Sequence, residues 1–473
     1  MKKVHFIGIA GKGMSAVALM LKQLGWEVTG SDEGAYPPVS TYLDQYGILY
    51  NKNYAADNIP DDVDVVIIGK NARLTPELNP EVAEAKRRNI PTQSFPEILQ
   101  EISKNKERIV VAGSYGKSTL TALIAWCLTD ANQDPSYFIG EVTHDFPMHG
   151  HIGSGHFFIL EGDEYPSANW DNTSKFLYYK PDHVVLTSAI HDHINIFPTH
   201  ESYLEPFKLL VQSIPQNGTL IHADEKYATD ISKNFAGHKT SYGFSEEADW
   251  SATAISFGTT TTFTLMHKKQ PIIDIDTTLL GKHNVENILA AAACLLPKNI
   301  ISPEVFQHAV STFKGVKRRL ELLTQNSSIS VYETFGSSYE KAKTAFAALH
   351  THFPQRRILT IFEPHTFSWR NRAYIHNYDD VFDTSDTVLV YEPSTQGADT
   401  HDQLTLDEII ARIQQHNTKV FAVHSSTEAL DKIKELVHPD DLIVLVTSGN
   451  LGGLIGLLPD FIEHNYPKHH EDF

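Results

Sequence analysis

Between an apolar run, Ile109-Val110-Val111-Ala112, and a helical pattern reaching about Leu128 lies Gly113-Ser114-Tyr115-Gly116-Lys117-Ser118-Thr119. A glycine-rich turn joining a strand to a helix start directs backbone N–H groups and the helix dipole at one point, which suits phosphate. Lys117 would reach the terminal phosphates and the Ser118 hydroxyl would ligate Mg2+. The spacing departs from G-x-x-x-x-G-K-[ST], because Val111 occupies the first glycine position, and a plain strand–turn–helix connection is the competing reading. Glu161-Gly162-Asp163-Glu164 follows a second strand pattern. Hard oxygens at a strand's carboxyl end are what Mg2+ takes beside a triphosphate; a solvated acidic turn is the alternative. Val184-Val185-Leu186 leads similarly to His191-Asp192-His193. No nearby cysteine supports zinc, so His193, and Asp192 beside it, are read as touching the metal or lying just behind its ligands at the same site; a structural histidine is the competing reading.

Three further segments place polar groups at useful spacing. Gly8-Ile9-Ala10-Gly11-Lys12-Gly13-Met14-Ser15 follows the first strand and opens a helix, so it too can cradle a diphosphate, although its spacing is G-x-x-G-x-G. The second strand ends in Thr29-Gly30-Ser31-Asp32, where an acid can accept hydrogen bonds from a ribose or base. Taken alone, this loop leaves a nicotinamide dehydrogenase competitive. Next, Gly281-Lys282-His283-Asn284 opens a helix in which Asn284 and Asn287 share a face; they serve as caps, or grip an adenine edge. Finally, Lys317-Arg318-Arg319-Leu320-Glu321 is a cationic cluster in an acidic chain, either ligand-facing or a solvated linker.

The elements that must hold these groups are α/β throughout. Strand and helix signals alternate over the first hundred residues, predicting a doubly wound sheet with strands at Val4–Ile9, Glu27–Gly30 and Val63–Ile68. A charged stretch, Ser103 to Arg108, ends this first domain, placed at 1–105. The second, 106–322, contains the Lys117 loop and a Thr- and Ile-rich β excursion over Trp250 to Leu280. The third, 323–473, repeats the α/β pattern, with strands at Ser328–Tyr332, Arg357–Phe362, Thr387–Tyr391, Val420–Val423 and Leu442–Val446. A hinge is expected at Leu320 to Leu323, and a frayed tail from Tyr466. With 473 residues, 41% of them hydrophobic, several domains have ample core. A net charge of −19 argues against nucleic acid as a general partner. Nothing approaches a membrane span. Two cysteines, Cys127 and Cys294, are too few for a disulfide framework, which points to a reducing cytoplasm.

The order G-S-Y-G-K-S, E-x-D-E, D-H, G-x-H-N-x-x-N and R-R-L-E, behind a glycine-rich start, resembles the Mur ligase family, ATP-dependent amide-forming enzymes of peptidoglycan synthesis. The resemblance covers essentially the whole chain. It implies a Rossmann-like N-terminal domain for a UDP-sugar, a central P-loop ATPase-type domain and a C-terminal Rossmann-like domain. Within the family, the N-terminal loop and V-T-G-S-D are similar to the muramate–alanine ligases and to the murein peptide ligases. Tyr36-Pro37-Pro38-Val39-Ser40-Thr41, Asp163-Glu164-Tyr165 with Asp171 to Phe176, Phe362-Glu363-Pro364 and Ser448 to Gly453 resemble the second group.

The resemblance implies ATP bound by Gly113 to Thr119, His283, Asn284, Asn287, Arg319 and Glu333, with Lys117, Glu161 and His193 catalytic. Mg2+ falls to Ser118, Glu161 and His193, and the UDP-sugar to Gly8, Gly11, Gly13, Met14, Ser15, Ser31 and Asp32. Arg370 and Arg372 are candidates for the peptide carboxylates. The implied reaction phosphorylates the carboxylate of UDP-N-acetylmuramate, and the acyl phosphate is then attacked by the amine of L-Ala-γ-D-Glu-meso-diaminopimelate, in murein recycling. L-Alanine is the alternative acceptor; a monomer or homodimer is expected. Departures from the pattern are Ser188 for an asparagine and Glu333-Thr334-Phe335-Gly336-Ser337-Ser338-Tyr339 for D-D-[YF]-x-H-H-P. They keep a catalytically altered nucleotide-binding homologue open; an NAD-dependent oxidoreductase would leave Gly113 to Ser118 unexplained.

Overall fold

A computed structural model describes residues 1–37, 39–192, 196–392, 402–416 and 419–468. The chain divides into two compact units. The first comprises 1–256, 262–278 and 283–316; the second comprises 257–261, 279–282 and 317–473.

Among the described residues the first unit holds a two-stranded antiparallel ribbon, Pro166–Ala168 with Asp171–Ser174, and two large sheets. In the N-terminal one, strands run in the order Leu49–Asn51, Glu27–Ser31, Lys3–Ile7, Val65–Ile68, Thr92–Gln93, all parallel. Phe6, Ile7, Val66 and Ile67 are fully buried, the continuous apolar reading of a parallel sheet covered on both faces. Successive strands depart to opposite sides of Lys3–Ile7, and the glycine loop begins where that strand ends, at the switch point where doubly wound sheets bind ligands.

The central sheet has ten strands. Its middle is parallel, in the order His238–Tyr242, Thr219–Ala223, His183–Leu186, Glu107–Ala112, Phe157–Gly162, Ser136–Phe138. Trp250–Phe257, Thr261–His267 and Gln270–Thr277 extend one side, forming the β excursion expected from Thr and Ile alternation. Helix Lys117–Asp130 leaves the central strand, with Leu120, Leu123, Ile124, Cys127 and Leu128 inaccessible.

In the second unit the order is Arg319–Leu322, Ser330–Thr334, Leu442–Val446, Ile358–Phe362, Thr387–Tyr391, Val420–Val423, with the first pair antiparallel and the others parallel. Two expectations are corrected here. The hinge assigned to Leu320 to Leu323 falls in a paired strand, Glu321 lying opposite Glu333, and the change of unit comes earlier, between Val316 and Lys317. The tail does not fray at Tyr466. Ser328 N–H donates to Tyr466 O (3.3 Å) and Lys468 N–H to Asn326 O (3.1 Å), so the described end of the chain is tied down. No described helix is long and apolar enough to cross a membrane.

Candidate active site

Strand pairing sets the central site. Val111 lies opposite Glu161, and Ala112 opposite both Gly162 and Leu186, so three strands deliver their loops to one carboxyl edge. Gly116 has φ +81°, and a Cβ there would sit 2.8 Å from Asn287 Oδ1; glycine lets helix Lys282–Leu295 approach the turn. Ser188, the departure from the expected asparagine, still serves the loop. Its carbonyl accepts the Ser114 N–H (3.1 Å) and its hydroxyl the Tyr115 N–H (3.3 Å). Ser114 Oγ donates to Ile190 O (2.5 Å) and accepts from Tyr203 OH (2.9 Å).

Each carboxylate of Glu161-Gly162-Asp163-Glu164 has its own partner. Lys117 Nζ donates to Glu164 at 3.0 Å and to Gly113 O at 2.6 Å. Burial alone would lower the Lys117 pKa, but Glu164, Asp163 and Glu161 outweigh it and hold the ammonium above its ordinary value. Asp163 accepts from Lys175 at 2.5 Å; burial works to raise its pKa, and the Lys175 charge brings it below the usual carboxylate value. Glu161 accepts the Ser118 hydroxyl (2.8 Å) and the Gly140 N–H (2.6 Å). Lacking a close cationic hydrogen-bond partner, it has its pKa raised by burial. A buried carboxylate beside a hydroxyl at a phosphate-type loop is a donor set that fits Mg2+, which keeps several waters and takes one or two carboxylates plus phosphate. Among the described residues no three His, Cys, Asp or Glu converge as a ligand set. His193 lies outside the described residues; Asp192 is near enough to raise the Tyr165 and Tyr203 pKa values alongside burial. Thr119 stands in the first turn of the helix. His283 opens the helix in which Asn287 Nδ2 donates to Asn284 Oδ1 (3.1 Å), both asparagines being buried.

In the N-terminal loop, Ser31 O accepts the Gly8 and Ile9 N–H groups (2.9 and 3.1 Å), and Asp32 accepts that of Ala10 (2.9 Å). Gly11 N–H donates to Gly8 O (3.3 Å), which leaves Lys12, Gly13 and Met14 in the first turn of the helix, where amides lack intrahelical acceptors. The resemblance places Ser31 and Ser15 at the UDP-sugar. Both are fully buried: Ser31 gives its hydroxyl to Glu81 and Ser15 gives its own to Lys12 O (3.0 Å). They shape the loop from beneath. Met14 is buried against the space beside Gly69 and offers its backbone. Sequence reasoning missed Glu81. Its fully buried carboxylate accepts from Ser31, from Asn58 Nδ2 (2.6 Å) and from Ala55 N (3.1 Å), and lies 3.5 Å from His5. Its one legible signal is the Asn79-Pro80-Glu81 helix start, which places it in the first turn.

In the second unit, Arg318, not the exposed Arg319, is pinned. Its Nε donates to Glu333 (2.5 Å) and its Nη2 to Gly449 O (2.8 Å). Glu333 is thereby drawn onto the linker; burial raises its pKa more than Arg318 lowers it. Arg372 pairs with Glu408 (2.5 and 3.0 Å) and Asp402 (2.8 Å), acids with which any peptide carboxylate would compete for it. Arg370 is buried, 6% exposed.

Three α/β sheets with a phosphate-type loop, a magnesium-type donor pair and a second glycine loop define a nucleotide-binding enzyme of modular build. Family models match in the same order: the Mur ligase family catalytic domain over 3–107, the Mur ligase middle domain over 111–295 and the Mur ligase glutamate ligase domain over 318–449. The chain belongs to the Mur ligase family and is an ATP-dependent, ADP-forming amide ligase of peptidoglycan synthesis. It is 32% identical to a UDP-N-acetylmuramate–L-alanine ligase of Desulforapulum autotrophicum, over 95% of this chain and 96% of that one. Against the UDP-N-acetylmuramate–L-alanyl-γ-D-glutamyl-meso-2,6-diaminoheptandioate ligase of Haemophilus influenzae it is 26% identical, over 96% and 98%. Among solved structures, the UDP-N-acetylmuramate–alanine ligase of Thermotoga maritima shares the fold at TM-score 0.79 and 20% identity, covering 98% of this chain and 99% of that one. A murein peptide ligase of Psychrobacter arcticus superposes at TM-score 0.67 with 25% identity, covering 99% and 100%.

Proposed function

We propose that this ligase joins the carboxylate of UDP-N-acetylmuramate to the amine of L-Ala-γ-D-Glu-meso-diaminopimelate, in the cytoplasm. Residues 1–105 would bind the UDP-sugar, 106–322 ATP, and 323–473 the peptide. A carboxylate does not acylate an amine at neutral pH, because oxide is a poor leaving group; phosphorylation by ATP supplies phosphate instead. In this scheme the Gly116 amide, the first-turn amides of helix Lys117–Asp130 and the Lys117 ammonium hold the transferring phosphoryl group, Glu164 keeps Lys117 charged, and Asn284 and Asn287 face the adenine. Ser118 and Glu161 would hold Mg2+, which when bound would neutralise the crowded phosphate charge. The amides of Lys12 to Met14 receive the UDP diphosphate. The assignment rests on the division of labour within Glu161, Asp163 and Glu164, each turned to a different partner around one loop. Preference for the peptide is supported by the Asp163–Lys175 contact, which links the D-E-Y segment to Asp171–Phe176, two of the stretches that resemble murein peptide ligases.

L-Alanine as acceptor is the second reading, favoured by the 32% identical relative named for that amino acid. The test offers UDP-N-acetylmuramate and ATP with either the tripeptide or free L-alanine, and follows phosphate release. Higher kcat/KM for the tripeptide is expected; the reverse order overturns the choice.

A further inference from the structure

The glycine loop of the first sheet and the carboxylate assigned to Mg2+ lie in one compact unit, and a short segment of the central sheet touches both. Strand Ser136–Phe138 runs into Ile139-Gly140-Glu141. The Gly140 N–H donates to Glu161 Oε2 (2.6 Å), and a Cβ at Gly140 would lie 2.7 Å from Glu161 Oε1, so a side chain there would push the carboxylate away. The next residue holds the other loop. Glu141 Oε2 accepts from Lys12 Nζ at 2.7 Å, and Lys12 is the first residue of helix Lys12–Gln23 behind the glycines. The Lys12 backbone is fixed on the central sheet: His149 Nε2 donates to its carbonyl oxygen (2.8 Å). One helical turn on, a Cβ at Gly150 would lie 3.0 Å from Ala16 Cβ and 3.1 Å from Ala16 O, so helix and strand meet backbone to backbone. The ammonium has no such restraint, the Lys12 side chain being 56% exposed and that of Glu141 31%.

An ion pair this exposed is weak, and a diphosphate seated on the amides of Lys12 to Met14 would offer the same ammonium a denser negative charge. On the other side of the segment, burial raises the Glu161 pKa and the Glu141 charge adds to it, so the two carboxylates act on each other. We propose that Lys12 is a positioning residue that couples nucleotide-sugar binding to the metal site. In the unliganded protein it neutralises Glu141; a bound diphosphate draws it away. Glu141 then places an uncompensated negative charge near Glu161, and the site holds a divalent cation more tightly. Coupling between two sites is reciprocal, so the bound cation tightens the nucleotide-sugar by the same factor. The metal is thereby held best when the acid to be phosphorylated is in place.

This rests on the reading of residues 1–105 as the UDP-sugar domain, and it holds for either acceptor. The experiment titrates the full-length enzyme with Mn2+, as the probe for Mg2+, with and without saturating UDP-N-acetylmuramate. Free ion is counted by electron paramagnetic resonance, and a blank without protein removes the metal that the diphosphate binds in solution. In the wild type the Mn2+ Kd is expected to fall about fivefold when the UDP-sugar is added, the low end of ordinary coupling between sites. The two variants move in opposite directions, which a loss of structure does not imitate. Lys12→Met leaves Glu141 unneutralised throughout, so Mn2+ binds at the tight value in both conditions. Glu141→Gln removes the charge, so Mn2+ binds at the weak value in both. A wild-type Mn2+ affinity that ignores bound UDP-sugar, or a response that survives in either variant, would overturn the coupling alone. If calorimetry finds no binding of UDP-N-acetylmuramate to the wild type, the reading of the N-terminal loop falls and the coupling falls with it.

Discussion

Removing Lys117 tests the central site, because its two roles separate. The Lys117 side chain is 15% exposed and Glu164 is 1% exposed, 3.0 Å apart. Lys117→Met takes the charged donor away from a buried carboxylate, which keeps the Tyr203 hydroxyl at 3.4 Å among its partners. Breaking a buried pair costs about 3–5 kcal/mol, and at roughly 2–4 °C per kcal/mol for a domain of this size the melting temperature falls by about 10 °C. Independently, losing one charge that stabilises the transferring phosphoryl group costs about 10²–10³ in kcat. The double variant Lys117→Met/Glu164→Gln removes both charges. It should regain most of the stability, since a neutral amide tolerates burial, and none of the turnover. Calorimetry and phosphate release measure the two quantities. A single variant as stable as wild type would refute the burial argument; wild-type turnover in the stable double variant would refute the catalytic one.

Glu81→Ala leaves the Ser31, Asn58 and Ala55 donors without their acceptor, at about 1–3 kcal/mol each. Denaturant unfolding should show a loss of several kcal/mol, and an unchanged midpoint would contradict the network. Glu161→Gln should raise the Mg2+ concentration needed for half-maximal rate while leaving the fold intact; an unchanged magnesium titration counts against the Ser118–Glu161 pair. Glu107 joins His183 (2.5 Å) and His156 (2.8 Å). Burial pushes its pKa up, but the two histidines bring it below the ordinary 4.5. A depressed folded pKa gives stability that is present above 4.5 and lost as the pH falls below it, so Glu107→Gln should flatten the acid limb of the stability curve. Arg372→Ala should leave the acceptor KM unchanged, because Glu408 and Asp402 already hold that guanidinium; a selective rise in acceptor KM would restore it to the peptide site.

Much of this molecule was legible along the chain because parallel strands buried on both faces appear as unbroken apolar runs, and phosphate loops are contiguous. Ile109–Ala112, Thr387–Tyr391 and Leu442–Val446 announce themselves, and the Gly113–Ser118 turn needs no distant residue to be noticed. Resemblance supplied the family, but it carried roles onto residues whose side chains point elsewhere: Ser31 to Glu81, Arg372 to Glu408, Arg319 to the surface in place of Arg318. Those outcomes depend on which loops meet at a sheet's carboxyl edge, and strand order is a property of the folded chain. Glu81, fifty residues from Ser31, and Glu363, paired through Thr447 across two neighbouring strands, acquire meaning only when the sheets are assembled. A buried carboxylate is defined by the donors around it, and that neighbourhood does not exist until the chain has folded.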